Sequence, residues 1–98
     1  MDTTPADRTP QIALYYSDSC YFCHKVRRCL AELALDIELR DVVGAPAYRV
    51  ELTAGGGKAQ VPCLRIAFPD GRVKWMYESD DICAWLKRNY GDAPRSAI

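Results

Sequence analysis

The chain has 98 residues, 49% hydrophobic and 27% charged, which fits one globular domain with a single modest core. Its 13 basic and 13 acidic residues cancel to a formal net charge of zero, so charge gives no case for nucleic acid or an anionic membrane as partner. Five cysteines make an odd count with no even framework, and no apolar stretch approaches a bilayer span, which argues against a disulfide-stapled secreted scaffold and a membrane protein. Residues 1–10 (MDTTPADRTP) lack the basic and apolar regions of a secretory signal, so a reducing cytoplasm is the expected setting.

In chain order, residues 1–10 read as a disordered tail, 11–91 as the folded domain and 92–98 as a second tail. Gln11 to Tyr16 is an apolar run and the first predicted strand. A helical pattern opens at Cys20 and runs to about Leu35, with Phe22, Val26, Cys29 or Leu30, and Leu33 on one buried face. Ile37 to Val42 alternates apolar and polar as the second strand. Gly44 and Pro46 introduce a short helix to about Ala54, which Gly55-Gly56-Gly57 ends in a loop. Val61 to Phe68 and Arg72 to Tyr77 are two strands around a Pro69-Asp70-Gly71 turn. Ser79 is the expected N-cap of the last helix, with Asp80 and Asp81 complementing its dipole. Ile82, Trp85, Leu86 and Tyr90 form that helix's buried face, and Gly91 and Pro94 stop it. The order β-α-β-α-β-β-α implies an α/β fold, a mixed four-stranded sheet with three helices: a parallel pair joined by a helix, and an antiparallel hairpin.

Cys20-Tyr21-Phe22-Cys23 carries the chemistry. The first turn of a helix offers unpaired N–H groups and the positive end of the dipole, which favour a thiolate over a thiol. A two-residue gap puts the second sulfur one turn away, so Cys20 reads as the attacking thiol and Cys23 as the resolving one. Three other readings compete: buried small hydrophobes, half of a zinc site, and, with His24, a c-type haem attachment motif. No second Cys-x-x-Cys or His pair completes a zinc site, and haem attachment would normally accompany export.

Val61-Pro62 is the second constellation, since a proline at a strand start needs explaining. A cis bond would turn out the Val61 N–H and C=O beside the cysteines, where an extended peptide-like ligand can pair with them; a trans proline on an edge strand is the competing reading. The dithiol unit before it favours cis. Ser79-Asp80 is the third: a helix N-terminus binds a carboxylate and Asp80 an ammonium group, so an amino acid's two charges would fit there, although plain capping is the alternative. Cys29 and Cys83 are expected to pack in the core. Cys63 is open between packing and a third redox thiol, with Arg65 on its side of the strand hinting at partial exposure.

Residues 15–25 (YYSDSCYFCHK), Gln60-Val61-Pro62-Cys63-Leu64 and Ser79-Asp80-Asp81 together resemble the glutaredoxins of the thioredoxin-like superfamily, from Gln11 to about Tyr90. Glu78-Ser79-Asp80-Asp81-Ile82 is also similar to the glutathione-binding segment of glutathione transferase N-terminal domains. The resemblance implies that Val61 pairs with the cysteinyl part of glutathione beside Pro62, that Ser79 and Asp80 hold its γ-glutamyl end, and that Phe22 and Gln60 line the groove. Ser17 stands where many glutaredoxins have a lysine for the glycine carboxylate; Tyr21 and Phe22 replace proline and tyrosine, and Tyr77-Glu78 replaces Gly-Gly. Lys25 and Arg28 are candidates to supply the missing positive charge. The implied activity is glutathione-dependent thiol–disulfide exchange on protein mixed disulfides or small disulfides. Glutathione is then the cosubstrate, disulfide-containing or glutathionylated proteins are the partners, and the chain is expected to be a monomer. The alternative is a dimer in which Cys20 and glutathione ligate a [2Fe–2S] cluster with a carrier or sensor role.

Overall fold

The computed structural model describes residues 10–91, so the expected tails, apart from Pro10, and the stop at Pro94 lie outside the described residues. The elements are β1 (Gln11–Tyr16), α1 (Tyr21–Glu32), β2 (Glu38–Asp41), α2 (Pro46–Gly56), β3 (Cys63–Ala67), β4 (Val73–Met76) and α3 (Ser79–Leu86). A π-helical turn, Lys87–Gly91, extends α3. Their order is the expected one, and the sheet runs β2-β1-β3-β4. β1 pairs parallel with β2, antiparallel with β3, and β3 antiparallel with β4. This is an α/β thioredoxin-like arrangement.

Strand alternation divides the core in two. Leu14 pairs with Leu64, and both point with Ile66 toward α1 and α3, where they meet Val26, Leu30, Ile82 and Leu86. The neighbouring pair, Tyr15 and Cys63, points to the other face, where Val42 and Leu52 of the α2 side cover it. Helices therefore shield both faces of the central strands, and the ends of β1 and β3 lie side by side.

Several boundaries differ from expectation for local reasons. α1 stops at Glu32 rather than Leu35, because Ala34 takes a left-handed backbone (φ 55°) and Leu35 N–H turns back to Leu30 C=O at 2.9 Å. Phe22 is 53% exposed, and fully buried Cys23 takes its place on the inner face of α1. α2 continues through Gly55 and Gly56, because these glycines admit the Trp75 ring and the Tyr77 hydroxyl; left-handed Gly57 closes the helix. The hairpin strands β3 and β4 are shorter than expected, and β2 spans only Glu38–Asp41. The N-cap of α3 is Glu78, not Ser79: the chain enters the helix one residue early, Ile82 N–H bonds Glu78 C=O at 2.9 Å, and no side chain caps the end. Ile82, Cys83 and Leu86 are the buried residues of α3, with Trp85 and Tyr90 packed partly against them.

The largest departure concerns two cysteines expected to be free packing residues. Cys29 of α1 and Cys83 of α3 form a disulfide across 6.0 Å between Cα atoms. Both lie on the inner faces of helices packed over the same side of the sheet, which brings them within bridging range.

Candidate functional site

At the end of β1 the chain turns through Ser17-Asp18-Ser19 into α1. Ser17 is buried, its carbonyl accepts Cys20 N–H at 3.1 Å, and its hydroxyl bonds that of Ser19 at 3.1 Å. Two groups from α1 hold the turn from outside. His24 Nε2 donates to Asp18 C=O at 2.6 Å, and Arg27 reaches the Asp18 carboxylate at 3.3 Å.

Cys20 is the N-cap of α1, with extended backbone (φ −92°, ψ 119°), and is half-buried. Its sulfur accepts the N–H of Cys23 at 3.3 Å, one of the donors the helix leaves unpaired. As a thiol it donates to Val61 C=O at 3.7 Å. Cys23 is shielded completely, and its thiol is pushed up to about 12, first by burial and next by its hydrogen bond with Cys20. A half-buried cysteine thus caps the helix while a protonated, fully buried second thiol stands behind it.

The Val61–Pro62 bond is cis, as expected from the residues. Val61 is half-buried and Pro62 buried, while Gln60 before them is exposed. The sequence-distant pieces therefore meet at the sulfur of Cys20: the β1–α1 turn on one side and Val61, in the loop that leads into β3, on the other. Phe22 stands in solvent with its ring edge-on to Tyr21, 5.2 Å between centroids.

Ser79 is half-buried as the first residue of α3, and Asp80 is exposed in its first turn. The Asp80 carboxylate is already engaged, since Lys25 of α1 forms an ion pair with it. This contact holds Lys25 above its ordinary value through the hydrogen bond and charge of Asp80. Lys25, whose orientation the sequence left open, faces α3, while Arg28 is exposed. The anchoring roles of His24 and Arg27 were missed in the sequence; their signal was a basic run at one-turn spacing after Asp18.

Cys63 does not share the solvent edge that Arg65 hinted at. It is fully buried under Leu52 and Tyr77, and burial pushes its thiol up to about 12. Arg65 lies farther along β3, over the Trp75 ring at 5.6 Å. On the same face Tyr15 donates to Glu51 and accepts from Arg40 at 2.7 Å, a part-buried polar anchor between β1, β2 and α2. Among the described residues, no group of three or more His, Cys, Asp or Glu side chains is arranged to hold a metal ion. No helix among them is long and apolar enough to cross a membrane.

Residues 14–94 match the family described as glutathione S-transferase, N-terminal domain. The chain belongs to that family. No curated protein matches it. Among solved structures, it is similar to a maleylacetoacetate isomerase from Anaeromyxobacter dehalogenans 2CP-1 at 25% identity and TM-score 0.65, covering 88% of this chain and 40% of the isomerase. That structure holds dicarboxyethyl glutathione and citrate in its active site. A glutathione transferase homolog from Drosophila mojavensis with bound glutathione is similar at 22% identity and TM-score 0.68, covering 86% of this chain and 37% of the homolog. The chain thus spans about two fifths of the length of these relatives. A glutaredoxin from Brucella melitensis shares the fold at 19% identity and TM-score 0.54, with 87% and 85% of the two chains covered.

Proposed function

We propose that this domain is a glutathione-dependent thiol–disulfide oxidoreductase with Cys20 as its nucleophile and Cys23 as the resolving thiol. The observation that carries the reading is the half-buried Cys20 at the N-cap of α1, its sulfur bonded by the Cys23 N–H. A backbone donor at a helix start favours the thiolate that exchange requires. Family membership supports glutathione as the cosubstrate. Val61, whose carbonyl lies beside Cys20, is the backbone partner for the cysteinyl unit of an extended tripeptide. Ser79 and Asp80 at the α3 N-terminus suit the γ-glutamyl carboxylate and ammonium, the latter displacing or sharing Lys25 on Asp80. Phe22 and Gln60 offer exposed walls, and Ser17 holds the turn beneath Cys20 rather than reaching a carboxylate itself.

The steps balance as two exchanges. The Cys20 thiolate attacks the glutathionyl sulfur of a mixed disulfide, forms the Cys20–glutathione disulfide and expels the partner's thiolate. A second glutathione thiolate attacks the glutathionyl sulfur bound to Cys20, leaving as glutathione disulfide and returning the Cys20 thiolate. In the dithiol variant Cys23, after giving up its proton, displaces glutathione and forms a Cys20–Cys23 disulfide. Proteins carrying glutathione on cysteine in a reducing cytoplasm are the substrate class and setting that suit this chemistry.

The test is turnover of a cysteine–glutathione mixed disulfide, with glutathione disulfide read through glutathione reductase. Cys20→Ser is expected to lose at least about a hundredfold in rate, because no other free thiol is exposed among the described residues. Cys23→Ser is expected to keep measurable turnover. Retained activity in Cys20→Ser, or conjugation of an aryl halide with no disulfide turnover, would overturn the proposal.

A further inference from the structure

Two side-chain links reinforce the packing of α1 against α3. Near their N-termini, Lys25 pairs with Asp80; deeper along the same helices, Cys29 is joined to Cys83. Cys83 follows Asp80 by less than one helical turn, and α1 runs unbroken from Cys20 to Cys29. The disulfide therefore spans the two helices whose first turns carry Cys20 and Ser79-Asp80. It takes no part in the exchange steps above.

Two further features make this link decisive for the site. α3 is short, eight residues before its π-helical turn, and its first turn has no side-chain cap. Apart from the packing of Ile82 into the core with Val26 and Leu30, α1 holds that end through the ion pair, whose partners are 44% and 80% exposed, a class of contact that contributes little. The bridge is buried, though less completely than the free inner thiols: Cys29 and Cys83 are 8% and 7% exposed, whereas Cys23 and Cys63 are 0% exposed.

We infer that Cys29–Cys83 is a second redox site, separate from Cys20 and Cys23, whose oxidation state sets how firmly the α3 first turn is held for ligand. The affinity part of this inference rests on the glutathione reading above. In the reducing direction, one glutathione thiolate attacks a bridge sulfur, forms a mixed disulfide there and releases the other cysteine, which takes a proton from water. A second glutathione thiolate attacks the glutathionyl sulfur and leaves as glutathione disulfide. Two glutathione thiols are oxidised and one protein disulfide is reduced to two thiols. The oxidised form holds the α3 first turn against α1 and binds glutathione tightly; the reduced form frays there and binds weakly.

The probe is S-methylglutathione, which has no thiol and leaves the bridge intact. Its affinity is measured by calorimetry for the oxidised protein, for protein reduced with a phosphine, and for the Cys29→Ala/Cys83→Ala variant. Binding is expected to be at least about fivefold weaker in the last two. Without ligand, amide exchange at Ile82, whose N–H bonds Glu78 C=O, is expected to quicken on reduction while the β1 and β3 amides keep their rates. Equal affinity in all three forms overturns the inference. So does equal exchange, or exchange that quickens uniformly, since that is a staple of global stability only. A bridge absent from protein alkylated during isolation, and not formed with glutathione disulfide, also overturns it. If S-methylglutathione binds none of the forms, the glutathione reading fails, and the exchange comparison alone decides whether the bridge controls the α3 first turn.

Discussion

Cys23 and Cys63 are shielded completely from solvent, and in each burial is the largest cause pushing the thiol up to about 12. The thiolate is the reactive form, so both are doubly protected at neutral pH, by coverage and by protonation. Cys20, one helical turn from Cys23, is half-buried with its sulfur at the helix start. Native alkylation with iodoacetamide at pH 8, read by peptide mass spectrometry, is expected to modify Cys20 first. Cys23 and Cys63 should follow at the rate of local opening, slower by at least about a hundredfold. Labelling of Cys63 as fast as Cys20 would contradict its burial beneath Leu52 and Tyr77 and restore it as a candidate redox thiol. Asp80 illustrates the opposite case. Its exposed carboxylate was readable as an ammonium site, but its partner Lys25 lies far away in the chain, and such pairing is invisible without the fold.

At the scale of elements, α2 is shaped by what its glycines admit. A Cβ on Gly55 would come within 2.3 Å of the Trp75 ring, which packs 5.7 Å from the Tyr15 ring and beneath Arg65. Helix propensity favours Gly→Ala by about 1 kcal/mol, while overpacking of this kind costs about 1–3 kcal/mol. The ring is held on both sides, so the clash prevails. Gly55→Ala is expected to lower the midpoint of thermal unfolding by several degrees; an unchanged or higher midpoint would mean that Trp75 moves freely. The same contact explains what the sequence concealed. The Gly55-Gly56-Gly57 run read as a loop because local propensity says so, whereas close approach of β4 side chains demands glycine within a helix. β1 was legible to the residue, since an apolar run bounded by Pro10 and Ser17 leaves little choice. The geometry of the candidate site was legible where local chemistry defines it, in the helix start at Cys20-Cys23 and the cis bond at Val61-Pro62. It was illegible where partners come from distant helices: Lys25 with Asp80, and Cys29 with Cys83, 54 positions apart.

For the whole molecule, burial of ionisable side chains on both faces of the sheet couples folding to alkaline pH. Cys23 and Cys63 are raised from ordinary values near 9 to about 12, and Tyr15 from 10.0 to about 12. For Tyr15 the causes are burial first and the hydrogen bond to Glu51 second. Tyr77 and Tyr90 are raised in the same direction, mainly by burial. Below pH 9 all five are protonated in both folded and unfolded chains, so their contribution to stability is fully present and flat. Between about pH 9 and 12 the unfolded chain releases these protons while the folded chain retains them. The unfolded state then binds fewer protons, and unfolding stability falls as pH rises. Urea unfolding followed by tryptophan fluorescence, with glutathione and other thiols excluded, is expected to give constant stability from pH 7 to about 9 and a steep decline toward 12. Tyr15→Phe removes one of the titrating groups and should flatten the decline above about pH 10, the unfolded tyrosine value, while leaving the cysteine part from pH 9 upward. Stability that stays constant through pH 11 in the parent chain would show that Tyr15, Cys23 and Cys63 reach water in the folded state, and with it that α2 does not cover the second core.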